Sequence, residues 1–142
     1  MRSLMERAGM AYAAGCIGAL VNSWVVWYMG KKGIPQKFGV AIAPAWSAAS
    51  FLYPRLVWGG LWGFLFLLPM WQRGFWTGVF SRGILFSIFP TLFQLFYVFP
   101  HLADKGVMGL ALGKLTPVFV FLYNAVWGLC AAMWLHLAKG RL

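Results

Sequence analysis

Apolar residues come in long runs along this chain, and short basic clusters separate the runs. The first run covers 8–29, carries no charge and stops at Lys31 and Lys32. About 20 apolar residues in helical form cross a hydrocarbon core of about 30 Å, so this run predicts a first transmembrane helix over 8–29. The turn-like stretch Gly33-Ile34-Pro35-Gln36-Lys37 follows, and then an apolar stretch over 38–70 that is too long for one ordinary helix. Pro44 and Pro54 punctuate it. The reading is a short interfacial or re-entrant piece over 38–43 and a second spanning helix over 46–70, kinked at Pro54.

After a short loop at Trp71-Gln72-Arg73-Gly74, residues 75–80 read as interfacial, with Trp76 suited to the headgroup level. A third helix is expected over 82–99, with Pro90 inside it. A loop over 100–106 and a short apolar piece over 107–113, re-entrant or interfacial, lead to Thr116-Pro117. That pair predicts a helix start, Thr as the cap and Pro at the first helical position. The fourth helix is expected over 116–137, ahead of Lys139 and Arg141.

Composition rules out a soluble domain. Of 142 residues, 62% are apolar, 19% aromatic and 10% charged, whereas a soluble domain has about 25% charged residues. Lipid tails accept an apolar surface without penalty. The net charge of +10 does not imply nucleic acid, because a nucleic-acid site needs a solvated basic face. Here the cations flank apolar runs, as headgroup-facing anchors do, and the expected partners are the bilayer and its anionic headgroups. If Arg2, Arg7, Arg73, Arg82, Lys139 and Arg141 face one side, then Lys31, Lys32, Lys37, Lys105 and Lys114 face the other. That near-balance favours termini in the cytoplasm only slightly and also permits dual topology. Cys16 and Cys130 lie inside apolar runs and read as buried free thiols.

The chain carries an internal repeat. Gly39-Val40-Ala41-Ile42 aligns with Gly109-Leu110-Ala111-Leu112, and Phe51-Leu52-Tyr53 aligns at the same offset with Phe121-Leu122-Tyr123. The register then slips by one, and Val57-Trp58-Gly59 matches Val126-Trp127-Gly128, with Gly63 opposite Ala132. The halves are about 8–71 and about 76–138. An even number of crossings per half makes the repeat parallel, and transporters built this way place their sites at the repeat interface. The fold class expected is therefore all-α: an integral membrane four-helix bundle, one domain over 1–142, made of two parallel two-helix repeats. Small residues spaced four apart let helix backbones approach. They mark Gly15 and Ala19, with Ala11, on the first helix, Gly59 and Gly63 on the second, and Gly128 and Ala132 on the fourth as helix-packing positions.

Each expected helix has a strong polar group near its middle: Asn22, Arg55, Gln94 and Asn124. An ionisable residue at membrane depth is a candidate functional residue by default. No carboxylate lies in any spanning run, so a deep Arg55 must turn to backbone carbonyls, to Asn22, Gln94 or Asn124, to water, or to an anion. If the second helix began nearer Phe51, Arg55 would instead snorkel to the interface. No paired carboxylates, no Ser-His-Asp set, no Cys-x-x-Cys and no metal or cofactor motif are present, so an enzyme is not expected. His101 and His136 fall near the ends of two antiparallel helices, on opposite faces of the membrane, and cannot share one haem iron.

The opening helix, with Gly15-Cys16-Ile17-Gly18-Ala19-Leu20-Val21-Asn22-Ser23 followed by Trp27, resembles small bacterial inner-membrane proteins of the YagU-like kind, and Leu92-Phe93-Gln94-Leu95-Phe96 echoes them in the third helix. The resemblance implies a bacterial inner membrane, defines no activity and carries over no site residue. The leading expectation is a non-enzymatic membrane module that assembles with itself or with a membrane-protein partner. The alternative is a small transporter or channel-like protein with a polar or anion-binding site between the repeats. Convergence of the four polar residues on one water-accessible cavity favours the second; their dispersal or local pairing, with the small-residue seams tightly closed, favours the first.

Overall fold

The polar residues that flank each apolar run decide where its helix starts and stops. In the computed structural model, which describes residues 3–67 and 75–139, helix α1 spans Leu4–Lys32. The Ser3 hydroxyl accepts the Glu6 N–H at 3.2 Å and caps its start. Gly33, at φ 76°, ends it by donating its N–H to the Gly30 and Met29 carbonyls. That left-handed position costs glycine nothing. The helix exceeds the expected 8–29 at both ends because its caps lie outside the apolar run. Lys31 and Lys32 sit over the rings of Trp27 and Tyr28 at 5.0 and 5.6 Å, as basic and aromatic residues do at a membrane interface.

A short helix α2 (Ile34–Lys37) follows, and residues 40–47 are not helical. The second spanning helix expected over 46–70 is divided. A π-helical turn, Ala48–Leu52, leads into α3 (Tyr53–Gly63), and a 3-10 turn, Phe64–Leu67, continues it. Pro54 has no N–H to offer the ladder. Ahead of it the Leu52 and Tyr53 N–H groups reach five residues back, to the Ser47 carbonyl at 2.9 Å and to Ala48. Ser47 caps this start, its hydroxyl accepting the Ser50 N–H at 3.3 Å. The end of the expected helix and the loop at 71–74 lie outside the described residues.

Helix α4 spans Phe75–Phe93, so residues 75–80 belong to its first turns and are not a separate interfacial piece. A lone Arg does not stop a helix, and Arg82, expected as a flanking anchor, lies inside this one with 1% of its surface exposed. Its Nη2 donates to the Phe66 carbonyl at 2.6 Å, and its guanidinium lies over the Phe66 and Phe86 rings at 5.3 and 6.0 Å. Past Pro90, α4 passes into a π helix, Gln94–Leu102, which carries Pro100 and delays the loop expected at 100–106. The piece at 107–113 is a 3-10 turn, Val107–Leu112, whose backbone leaves helical space at Met108 (φ 61°). Helix α5 spans Thr116–Lys139. Thr116 does not cap it with its side chain: the hydroxyl is buried without a hydrogen-bond partner among the described residues, while the Thr116 N–H bonds the Gly113 carbonyl at 3.2 Å.

No strand occurs among the described residues, and three helices are long and apolar enough to cross a membrane: Leu4–Lys32, Val79–Leu102 and Thr116–Ala138. These make it a multi-pass membrane protein by length and composition. Helix α1 is central, packing against α3 on one side and α5 on the other, and α4 packs on α5. Each neighbouring pair is antiparallel: Gly15 and Asn22 meet Gly59 and Arg55, and Gly83 and Thr91 meet Gly128 and Asn124. A Cβ at Gly15 would fall on the Gly59 carbonyl and 2.9 Å from the Gly63 Cα, and one at Gly128 would fall on the Gly83 carbonyl. Gly59 lies against Ala19, and Ala132 is fully buried in the core with Phe66, Phe86 and Trp127. At the ends opposite the chain termini, the Ala41 N–H donates to the Leu112 carbonyl at 2.9 Å. The two segments carrying the Gly-apolar-Ala-apolar motif are thereby joined.

Candidate functional site

Antiparallel packing brings the polar residues to one level. At about 1.5 Å of rise per residue, Asn22 stands ~15 Å from Lys32, Arg55 ~10 Å from Ala48, and Gln94 and Asn124 ~12 Å from Leu102 and Thr116. Those four helix ends lie on one face. All four side chains line a single cavity of about 580 Å³, within the range of about 300–1,000 Å³ typical of ligand sites. Its floor is α1 and α5, and its walls are α3 and the stretch from Pro90 through the π helix.

The Arg55 side chain turns inward, toward α1. Its Nε donates to the Ser23 hydroxyl at 2.8 Å, its Nη2 donates to the Asn22 amide oxygen, and its guanidinium stands 5.0 Å from the Phe51 ring. Asn22, itself 5% exposed, passes the bond on by donating from its amide nitrogen to the Tyr123 carbonyl. On the other side, Asn124 donates to the Thr91 hydroxyl at 3.0 Å and to the Gln94 amide oxygen at 3.5 Å. Thr91 in turn donates to the Ser87 carbonyl at 2.7 Å.

The electrostatics are one-sided. A guanidinium has five N–H donors, and the two bonds described use neutral acceptors. No Asp or Glu lines the cavity, and the protein's Glu6 and Asp104 are both exposed. Arg55 is half-buried, with part of its surface opening to the cavity. A cation in a low-dielectric site with only neutral partners has electrostatic attraction to spare for an anion.

The walls are aromatic. Helices α3 and α4 face each other across a gap instead of packing closely, and side chains bridge it: Phe93 stacks against Trp58 at 6.2 Å and meets Trp62 edge-on at 5.6 Å. Tyr97 stacks on Phe93 at 5.0 Å. Trp58 and Tyr97 are 54% and 48% exposed, so the gap opens sideways. Toward the chain termini the space is closed by Phe66, which is 5% exposed and wedged against Phe86 and Trp127 at 5.0 and 6.0 Å.

Ser23 and Thr91 belong to this network and are missed by sequence reasoning, which weighed only the strongest polar groups. The repeat expected from the sequence holds a signal for Thr91. The offset that sets Trp58 on Trp127 sets Asn22 on Thr91 and Arg55 on Asn124. Gly83 is missed in the same way, although it meets Gly128 much as Gly15 meets Gly59. In comparisons with protein-family models, curated proteins and solved structures, none matches this chain.

Proposed function

We propose that this is a small membrane binding protein of the transporter kind, which holds a polar or anionic solute in the cavity between two related halves. The convergence of Asn22, Arg55, Gln94 and Asn124 on one cavity carries this reading. Paired features of the two halves support the duplication: Arg55 on Asn22 beside Asn124 on Thr91, and Gly15 at Gly59 beside Gly83 at Gly128. In this reading the helical path over 48–67 is a fourth crossing, the halves are parallel, and both termini lie on one side of a bacterial cytoplasmic membrane. The closed small-residue seams and the local pairs Arg55–Asn22 and Asn124–Thr91 are equally expected of an assembling module, and the shared cavity is what favours binding.

Cysteine labelling tests the cavity. In a chain with Cys16 and Cys130 replaced by Ser, Gln94→Cys is expected to react with a small charged maleimide much faster than Ala131→Cys, which sits in the closed core. Added acetate or phosphate is expected to slow labelling at Gln94→Cys. Labelling no faster than at Ala131→Cys would mean that the cavity is dry and closed, and the proposal would fall.

A further inference from the structure

We infer that the occupant is a single-chain amphiphile with a carboxylate head, taken up sideways from the bilayer through the gap between α3 and α4; this rests on the binding role proposed for the cavity. The site is closed toward the termini and open at its side. Toward the termini, Phe66, Phe86 and Trp127 fill the bundle, so no continuous pore runs through it. At the other end the exposed Pro54 and Leu102 line the cavity where the helices reach the membrane face. A second opening is lateral, where α3 and α4 do not pack closely. In a membrane protein that opening faces lipid, and its rim residues Trp58 and Tyr97 are half-exposed.

Charge selects the head. The cavity offers one cation and neutral amides and no carboxylate of its own, which matches a group carrying a single negative charge. A planar carboxylate accepts two parallel N–H bonds from a guanidinium, and the amide of Gln94 stands on the facing wall, joined to that of Asn124 on the floor. The volume selects a single chain. About 580 Å³ accommodates a head and the first part of a chain. The rest of the chain must pass out beside the stacked rings of Trp58, Phe93 and Tyr97 into the lipid, along aromatic faces that prefer apolar contact.

The test uses the full chain in phosphatidylcholine nanodiscs, with 9,10-dibromostearate as the probe and tryptophan quenching as the readout. Bromine quenches at close range, and Trp58 and Trp62 line the cavity. The acid is expected to quench saturably and about tenfold more tightly than the corresponding dibromo alcohol, the ratio worth one charge-assisted contact. Arg55→Leu should lose that preference and Arg55→Lys should keep most of it. Trp58→Phe should remove a large share of the quenching. Should Arg55→Leu fail to fold, Gln94→Leu serves in its place, with an expected weakening of several-fold. Equal affinity for acid and alcohol would overturn the carboxylate assignment. If acetate or phosphate protects Gln94→Cys from labelling while the acid does not quench saturably, the cavity binds a water-borne anion: the binding role stands and the lateral amphiphile falls. If neither the acid nor the small anions act, both fall.

Discussion

Arg55 donates a hydrogen bond to Asn22, thirty-three residues earlier in the chain, and Asn124 donates one to Thr91 across the same interval of thirty-three. In each case the donor stands on the later helix of an antiparallel pair and the acceptor on the earlier one. The two pairs face each other across one cavity. One of them has a charge and the other has none.

Asn22 is the hinge of the charged pair, because it accepts from Arg55 and donates to the Tyr123 carbonyl on α5. Replacing it with Leu removes one of the two bonds described for Arg55 and the side-chain bond to the Tyr123 carbonyl. Unmade bonds at buried groups cost about 1–3 kcal/mol each. Asn22→Leu is expected to lower unfolding stability in detergent by that order. The double variant Asn22→Leu/Arg55→Leu should recover part of the loss, since it leaves no cation to satisfy. A double-mutant cycle in graded denaturant reads the coupling, and additive losses would refute it.

The glycine seams predict a contrast. Gly15→Val and Gly128→Val would each drive a side chain into a facing backbone carbonyl, and both should unfold or fail to accumulate in membranes. At Gly9 a Cβ would meet nothing within 4 Å. Gly9→Ala is therefore expected to be neutral, or more stable by up to about 1 kcal/mol through helix propensity. Thermal unfolding of the purified variants checks all three.

Arg82 is buried, and among the described residues its Nε and Nη1 have no acceptor. One charged hydrogen bond, to the Phe66 carbonyl, contributes about 1.5–3 kcal/mol, against about 1–3 kcal/mol for each buried donor left unpaired. With two such donors the balance favours an apolar replacement of similar length. Arg82→Met is expected to raise the midpoint of thermal unfolding and to leave the quenching by dibromostearate unchanged. A fall in the midpoint would show that the guanidinium contributes more than it costs.

Topology follows from whether the path over 48–67 crosses the membrane. The α-helical part, Tyr53–Gly63, is 11 residues, about 16 Å long. With the turns on either side it reaches the length that a thinned hydrocarbon core accepts. Reporter fusions at the two termini are expected to fall on the same side. Opposite sides would leave three crossings and dissolve the parallel repeat.

Much of this molecule was legible in the chain before any folding was considered. Apolar runs bounded by Lys and Arg give the spanning segments, because the hydrocarbon core imposes a length on any helix that crosses it. The small-residue positions were legible because close backbone approach requires a missing side chain. The four polar residues stood out because their presence in lipid has an energetic cost. The tertiary structure decided what those residues do together. Helix limits moved because caps and proline-driven changes of hydrogen-bond register depend on backbone geometry: Ser47 and Pro54 set one start, and Pro90 precedes the π helix that carries Gln94 to the cavity. Arg82 read as an anchor from its neighbours in sequence, yet it is buried and donates a hydrogen bond to the Phe66 carbonyl, sixteen residues away. The direction in which the cavity opens was beyond the sequence altogether. It depends on α3 and α4 each packing on other helices and leaving a gap between them, and a linear pattern records which residues are apolar but not which apolar face is left without a partner.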